Sequence, residues 1–114
     1  MAGPSHLTLN RYQVLNAVTA SGAFGIFPTS VNGQYVELTM YVVFDATAAA
    51  GVVVLETADN VDYAGTWANI GTVTFSAASK QHYVSVTGTF LAIRARVSSA
   101  VTSGTVSAYV VASN

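Results

Sequence analysis

The sequence contains no cysteine. Disulfide staples, thiolate metal sites and cysteine nucleophiles are therefore excluded, and the redox compartment is left open. Charge is almost as scarce: Asp, Glu, Lys and Arg make up 8% of the 114 residues, against about 25% in a typical soluble domain. Lys and Arg together number four, too few for the several phosphate contacts of an ordinary nucleic-acid binder, so no nucleic-acid partner is expected. No uninterrupted apolar run reaches the length of a transmembrane helix, and no membrane partner is expected. The first eleven residues lack the basic start and apolar stretch of a secretory signal. Disorder is excluded from the other side, because the hydrophobic fraction is 52% and the net charge is −1.

What remains is rich in Val, Ala, Thr and Ser and poor in Leu, Glu and Lys. This is the composition of a strand former with small surface residues. The run Ala46-Thr47-Ala48-Ala49-Ala50 is too short for a helix and is closed by Gly51, so it reads as a loop or a single turn. Strand signals fall at residues 12–19, 23–27, 34–44, 51–57, 67–75, 82–87, 90–98 and 104–112. In 34–44, Val36, Leu38, Met40, Val42 and Phe44 form a wholly apolar row, while Tyr35, Glu37, Thr39, Tyr41 and Val43 form a mixed one. That period of two is the signature of a half-buried strand. In 90–98, Leu91, Ile93, Ala95 and Val97 share one face, and Phe90, Ala92, Arg94, Arg96 and Ser98 share the other.

Eight short strands separated by Gly, Ser, Asn, Asp and Pro clusters predict an all-β fold. The expected architecture is a single antiparallel β-sandwich of about eight strands, jelly-roll-like, with an immunoglobulin-like sandwich as the alternative. Residues 1–11 carry no strand pattern before Leu7. They read as an N-terminal arm with Leu7 and Leu9 as apolar anchors and Arg11 at its end, followed by the sandwich domain over 12–114.

Few residues invite chemistry. The loop 57–66 holds Asp59 and Asp62, with Glu56 just before it. It lacks the glycine and terminal glutamate of an EF-hand, and Asp and Asn commonly hold such turns through bonds to the backbone. Carboxylates bunched in one loop make a poor glycosidase pair, which needs two acids across a cleft. His6 and His82 have no metal-ligand spacing, and no Gly-x-Ser-x-Gly elbow occurs. No enzyme activity, metal or cofactor is therefore expected. Arg94 and Arg96 are half of all the basic side chains. They read as a pair for Glu37, Glu56 or a partner's acid, or as a fork for a ligand carboxylate or sugar hydroxyl. Tyr63 with Trp67 reads either as edge packing or as a sugar-stacking platform.

A resemblance narrows the function. Val53-Val54-Leu55-Glu56-Thr57-Ala58-Asp59 is followed by Gly65-Thr66-Trp67-Ala68-Asn69-Ile70-Gly71-Thr72-Val73. Then come Phe90-Leu91-Ala92-Ile93-Arg94-Ala95-Arg96-Val97 and Gly104-Thr105-Val106-Ser107-Ala108-Tyr109-Val110. This order over residues 50–112 resembles the small β-sandwich modules of tailed-phage virion proteins, in capsid decoration and in tail or fibre components. The resemblance implies a non-enzymatic decoration, or cement, protein on the capsid surface of a virion. Its partners would be the major capsid protein and itself, as a homo-oligomer with a trimer favoured over a dimer. The alternative is a tail- or fibre-associated carbohydrate-binding adhesion module. The absence of a second domain in the sequence favours decoration. Sparse charge also favours self-association, since extensive apolar surface marks interaction sites. The expected contact residues are Leu7, Leu9, Arg11, Arg94, Arg96, Asp59, Asp62 and Tyr63.

Overall fold

Alternation along each strand gives two kinds of row, and the fold turns one kind inward. The computed structural model describes residues 9–27 and 35–113. Its strands are β1 Leu9–Val18, β2 Phe24–Phe27, β3 Tyr35–Phe44, β4 Ala50–Ala58, β5 Ala68–Thr74, β6 Gln81–Phe90, β7 Ala92–Thr102 and β8 Val106–Ser113. They form two four-stranded antiparallel sheets, ordered β1-β8-β3-β6 and β2-β7-β4-β5. The chain crosses between the sheets repeatedly, and the order is that of a jelly roll. The expected eight-stranded sandwich is thus observed. The immunoglobulin-like alternative gives way, because that fold distributes its strands in a different order.

The inward rows meet in one core. Leu38, Met40, Val42 and Phe44 of β3 and Val106, Ala108, Val110 and Ala112 of β8 pack against Val53 and Leu55 of β4 and Ile93, Ala95 and Val97 of β7. Each fully buried Val, Leu, Ile, Met or Phe contributes about 1.5–3 kcal/mol relative to exposure. Edge-to-face rings contribute as well, among them Phe44 with Phe75, centroids 5.2 Å apart, and Tyr12 with Phe27 at 6.2 Å.

The structure corrects the sequence reading in two places. The first strand starts at Leu9, so Leu9, Asn10 and Arg11 pair with Ser113, Ala112 and Val111 rather than belonging to an arm. Their backbone groups continue the β1–β8 ladder, and nothing in a charge-poor sequence marks that extension. The remaining arm residues, Leu7 among them, lie outside the described residues. The second correction is at Leu91, expected on the face of Ile93. The chain passes from one sheet to the other between Phe90 and Ala92, and Leu91 at the bend is 62% exposed.

Two bulged irregularities bend β1 between Gln13 and Val18, so that neighbouring Val14 and Leu15 are both buried. The bend carries the chain to the second sheet, where the Val101 amide donates to the Thr19 carbonyl at 2.9 Å. There β2 lies so close beneath β1 that a Cβ on Gly25 would collide with the Val14 carbonyl. The alanine run is the expected turn: Asp45 Oδ1 accepts from the Thr47 amide at 3.1 Å and the Thr47 hydroxyl at 3.0 Å, and β4 begins at Ala50.

Candidate functional site

The outward row of the β2-β7-β4-β5 sheet holds the arginines. Antiparallel register sets Glu56 of β4 directly across from Arg94 of β7, and Val54 across from Arg96. On the other side of β7, Phe24 faces Arg96 and Ile26 faces Arg94. Glu56 is therefore beside one arginine and diagonal to the other, both within side-chain reach. Arg94 Nε donates to Glu56 Oε1 at 2.7 Å. Arg96 Nε donates to Oε2 at 3.1 Å and its Nη2 to the same oxygen at 3.0 Å. The carboxylate is 2% exposed although it points away from the sandwich core.

What covers it comes from the loop before β5. A register shift between Leu55 and Glu56, opposite Gly71 and Asn69, lets the chain at the start of β5 fold back over the sheet. Trp67 is buried there, its indole N–H donating to the Tyr63 carbonyl at 2.9 Å. The Arg94 guanidinium carbon sits 4.5 Å from the Trp67 ring centroid and 4.9 Å from that of Phe24. A cation between two aromatic faces, hydrogen-bonded to a carboxylate, is held in one orientation.

Burial pushes the Glu56 carboxyl up. The hydrogen bonds and charges of Arg96 and Arg94 outweigh this and hold it below the ordinary glutamate value. The Glu56 hydrogen bond likewise raises Arg96 against the opposing effect of burial. The triad carries one net positive charge, and its single acid is fully engaged.

The sequence-derived candidates therefore separate. Arg94 and Arg96 come together, with Glu56 as their acid. Tyr63 joins them through Trp67, and Tyr63 is itself 46% exposed. Trp67 is closed off by its burial, so a sugar-stacking Trp67–Tyr63 platform is not formed. Asp59 and Asp62 are exposed on the same loop, where the Asn60 side chain organises the turn: its Nδ2 donates to Asp59 Oδ1 at 3.1 Å and its Oδ1 accepts from the Asp62 backbone amide at 2.8 Å. Among the described residues no group of three or more His, Asp or Glu converges. Arg11 lies on the other sheet, remote from the triad.

A second cluster escaped the sequence reading. The outward row of the β1-β8-β3-β6 sheet places Gln13, Tyr109, Tyr41 and Tyr83 directly across four adjacent strands. Period two places Tyr41 on the mixed row of its strand, but the lateral order that aligns it with Gln13, Tyr109 and Tyr83 is a property of the sheet.

The fold is that of an eight-stranded jelly-roll sandwich. No family model matches the chain, and no curated protein does. Among solved structures, the SPBc2 prophage-derived protein YomS is similar, with a TM-score of 0.66 and 16% identity over 95% of both chains. A chain of the disulfide-linked pili of Bacillus endospore appendages aligns with a TM-score of 0.49 and 13% identity, over 98% of this chain and 93% of that one. At these identities the likeness concerns the fold.

Proposed function

We propose that this chain is a non-enzymatic virion protein that binds the outside of a major capsid shell as a homo-oligomer and reinforces it. The observation that carries the reading is the surface around the Glu56 triad. Phe24 is 54% exposed beside Arg94, and Tyr63 is exposed beside Trp67. Val61 and Leu91 are exposed near the same end of the sheet, where Ala58 pairs with Ala92. Aromatic side chains and arginine around a desolvated ion pair are the composition of protein–protein hot spots. The resemblance of residues 50–112 to virion modules and the shared fold of a prophage-derived protein support the same reading.

Self-association fits the edge of the other sheet. Strand β6 runs ten residues without a charged side chain or a proline, and long edges of that kind are templates for a further strand. Reinforcement then follows from mass action. A protein that binds only the assembled shell stabilises it by about 2.7 kcal/mol per site at a hundredfold excess over Kd. The test is to strip the protein from particles, then measure their heat resistance with and without add-back while recording its oligomeric state by sedimentation. Restored resistance by an oligomer is expected. Equal resistance in both states would overturn the reading and turn attention to a tail-associated role.

A further inference from the structure

The outer face of the β1-β8-β3-β6 sheet carries a second feature, independent of the docking surface. Tyr109 and Tyr41 are direct register partners on neighbouring strands, where side chains normally touch. Each also has a neighbour of its own. Tyr109 is held on one side by Arg11, whose guanidinium carbon lies 4.3 Å from its ring centroid, and by Gln13 Nε2, which donates to its hydroxyl at 3.3 Å. Tyr41 packs on Tyr83, its register partner on β6, with centroids 6.0 Å apart. Between them opens a depression of about 340 Å³ lined by Arg11, Tyr41, Val43, Gln81 and Tyr109.

Its chemistry is mixed in a particular way. Tyr41 and Tyr109 offer aromatic surface and hydroxyls, Val43 an apolar patch, and Gln81 a carboxamide. The cation at the rim is unmatched: among the described residues both ion pairs belong to Glu56, and no carboxylate pairs with Arg11. A flat ligand with one apolar face, several hydroxyls and an anionic group satisfies all of these at once. A pyranose bearing a carboxylate has that form. Its C–H face would lie on tyrosine, its hydroxyls would meet Gln81 and the phenols, and its carboxylate would take the guanidinium fork. The volume lies at the small end of ligand sites, which suits one or two sugar rings.

We propose that this depression binds an acidic saccharide, with Tyr41 and Tyr109 as the stacking groups and Arg11 as the carboxylate partner. In the reading above, the surface would remain open when the opposite sheet is docked.

The experiment is a titration of the intact protein with trigalacturonate, glucuronate-containing and sialylated oligosaccharides, alongside the methyl ester of trigalacturonate, neutral maltotriose and plain glutarate. At least one acidic saccharide should bind. Its neutral ester or desialylated form, and the Arg11→Gln variant, should bind about tenfold more weakly, the loss of one charge-assisted contact. Tyr41→Ala should abolish binding, while Tyr63→Ala on the other face should leave it unchanged. Circular dichroism and thermal melting establish that each variant is folded. Three results would overturn the proposal: no acidic saccharide binds, glutarate binds as well as the sugars, or Tyr41→Ala binds like the wild type. A concentration-dependent change in oligomeric state caused by Tyr41→Ala, with no saccharide bound by the wild type, would assign the face to a second copy instead. None of these outcomes bears on particle heat resistance, so this proposal and the docking proposal fail separately.

Discussion

The two outward faces of the sandwich are built by the same alternation and end up with opposite characters. On the β2-β7-β4-β5 sheet the outward row is covered: Trp67 folds over it, Arg94 is stacked between two rings, and Glu56 is buried among hydrogen bonds. On the β1-β8-β3-β6 sheet the outward row is left in the open, with Tyr83 at 67% exposure and Tyr41 at 39%. The difference lies in the neighbouring loop. A bulge opposite Glu56 sends the chain back over one sheet, and no described segment does so over the other. A charge on a covered face must be matched, because desolvation is costly. Residues on an open face are free to serve a ligand. Substitutions in the buried triad and its Trp67 cover should therefore read out as stability, those at the exposed Phe24 and Tyr63 beside it as shell binding, and those in the open tyrosine row as binding of a small ligand.

The largest expected effect is at the cover itself. Trp67→Ala removes a buried ring, its indole hydrogen bond and half of the Arg94 stack, and should cost about 3–5 kcal/mol in urea denaturation. Glu56→Ala comes next. Removing one partner of a buried ion pair strands the other, and the partial exposure of both arginines places the loss near the lower end of the range, about 3 kcal/mol.

The same carboxylate sets an acid sensitivity. Its pKa in the fold lies below its ordinary value. Its contribution is therefore complete above the unfolded-state pKa, about 4.3, and is lost as pH falls through the lower folded value. Wild-type urea midpoints should fall more steeply on acidification below about pH 4.3 than those of Glu56→Gln, which has no proton to take up there. Parallel curves would show that the triad is not the acid-sensitive element.

A subtler change separates charge from geometry. Arg94→Lys keeps the positive charge but loses the planar group between Phe24 and Trp67, and should cost about 1 kcal/mol. On the open face, Tyr83→Ala should change stability by less than about 0.5 kcal/mol, as exposed substitutions usually do. A loss there as large as at Glu56 would erase the distinction between the faces.

Much of this was legible from single strands. The apolar row of β3 is the core row, the Ala46–Ala50 segment is a turn, and Glu56 was among the acids available to Arg94 and Arg96. These follow from period two and from the shortage of charge, which leaves few possible partners. What was not legible is what depends on strands far apart in sequence. Tyr41, Tyr83 and Tyr109 each sit on an outward row, yet only the order β8-β3-β6 aligns them. Trp67 takes the edge-packing role that the sequence allowed it, but its closing over the outward face onto Arg94 was not legible, because the register shift at Leu55 and Glu56 has no local sequence marker. Leu91 was misplaced for a related reason: a strand that changes sheet keeps its alternation in sequence but not in space.

The division of labour between the faces is tested most directly by co-sedimentation with particles stripped of the protein. Two folded double variants are compared with the wild type: Phe24→Ser with Tyr63→Ser beside the triad, and Tyr41→Ser with Tyr83→Ser on the open sheet. The account predicts that the first variant stays in the supernatant while the second pellets with the particles like the wild type. Pelleting of the first variant together with loss of the second would contradict it, and would move the shell-binding surface to the tyrosine face.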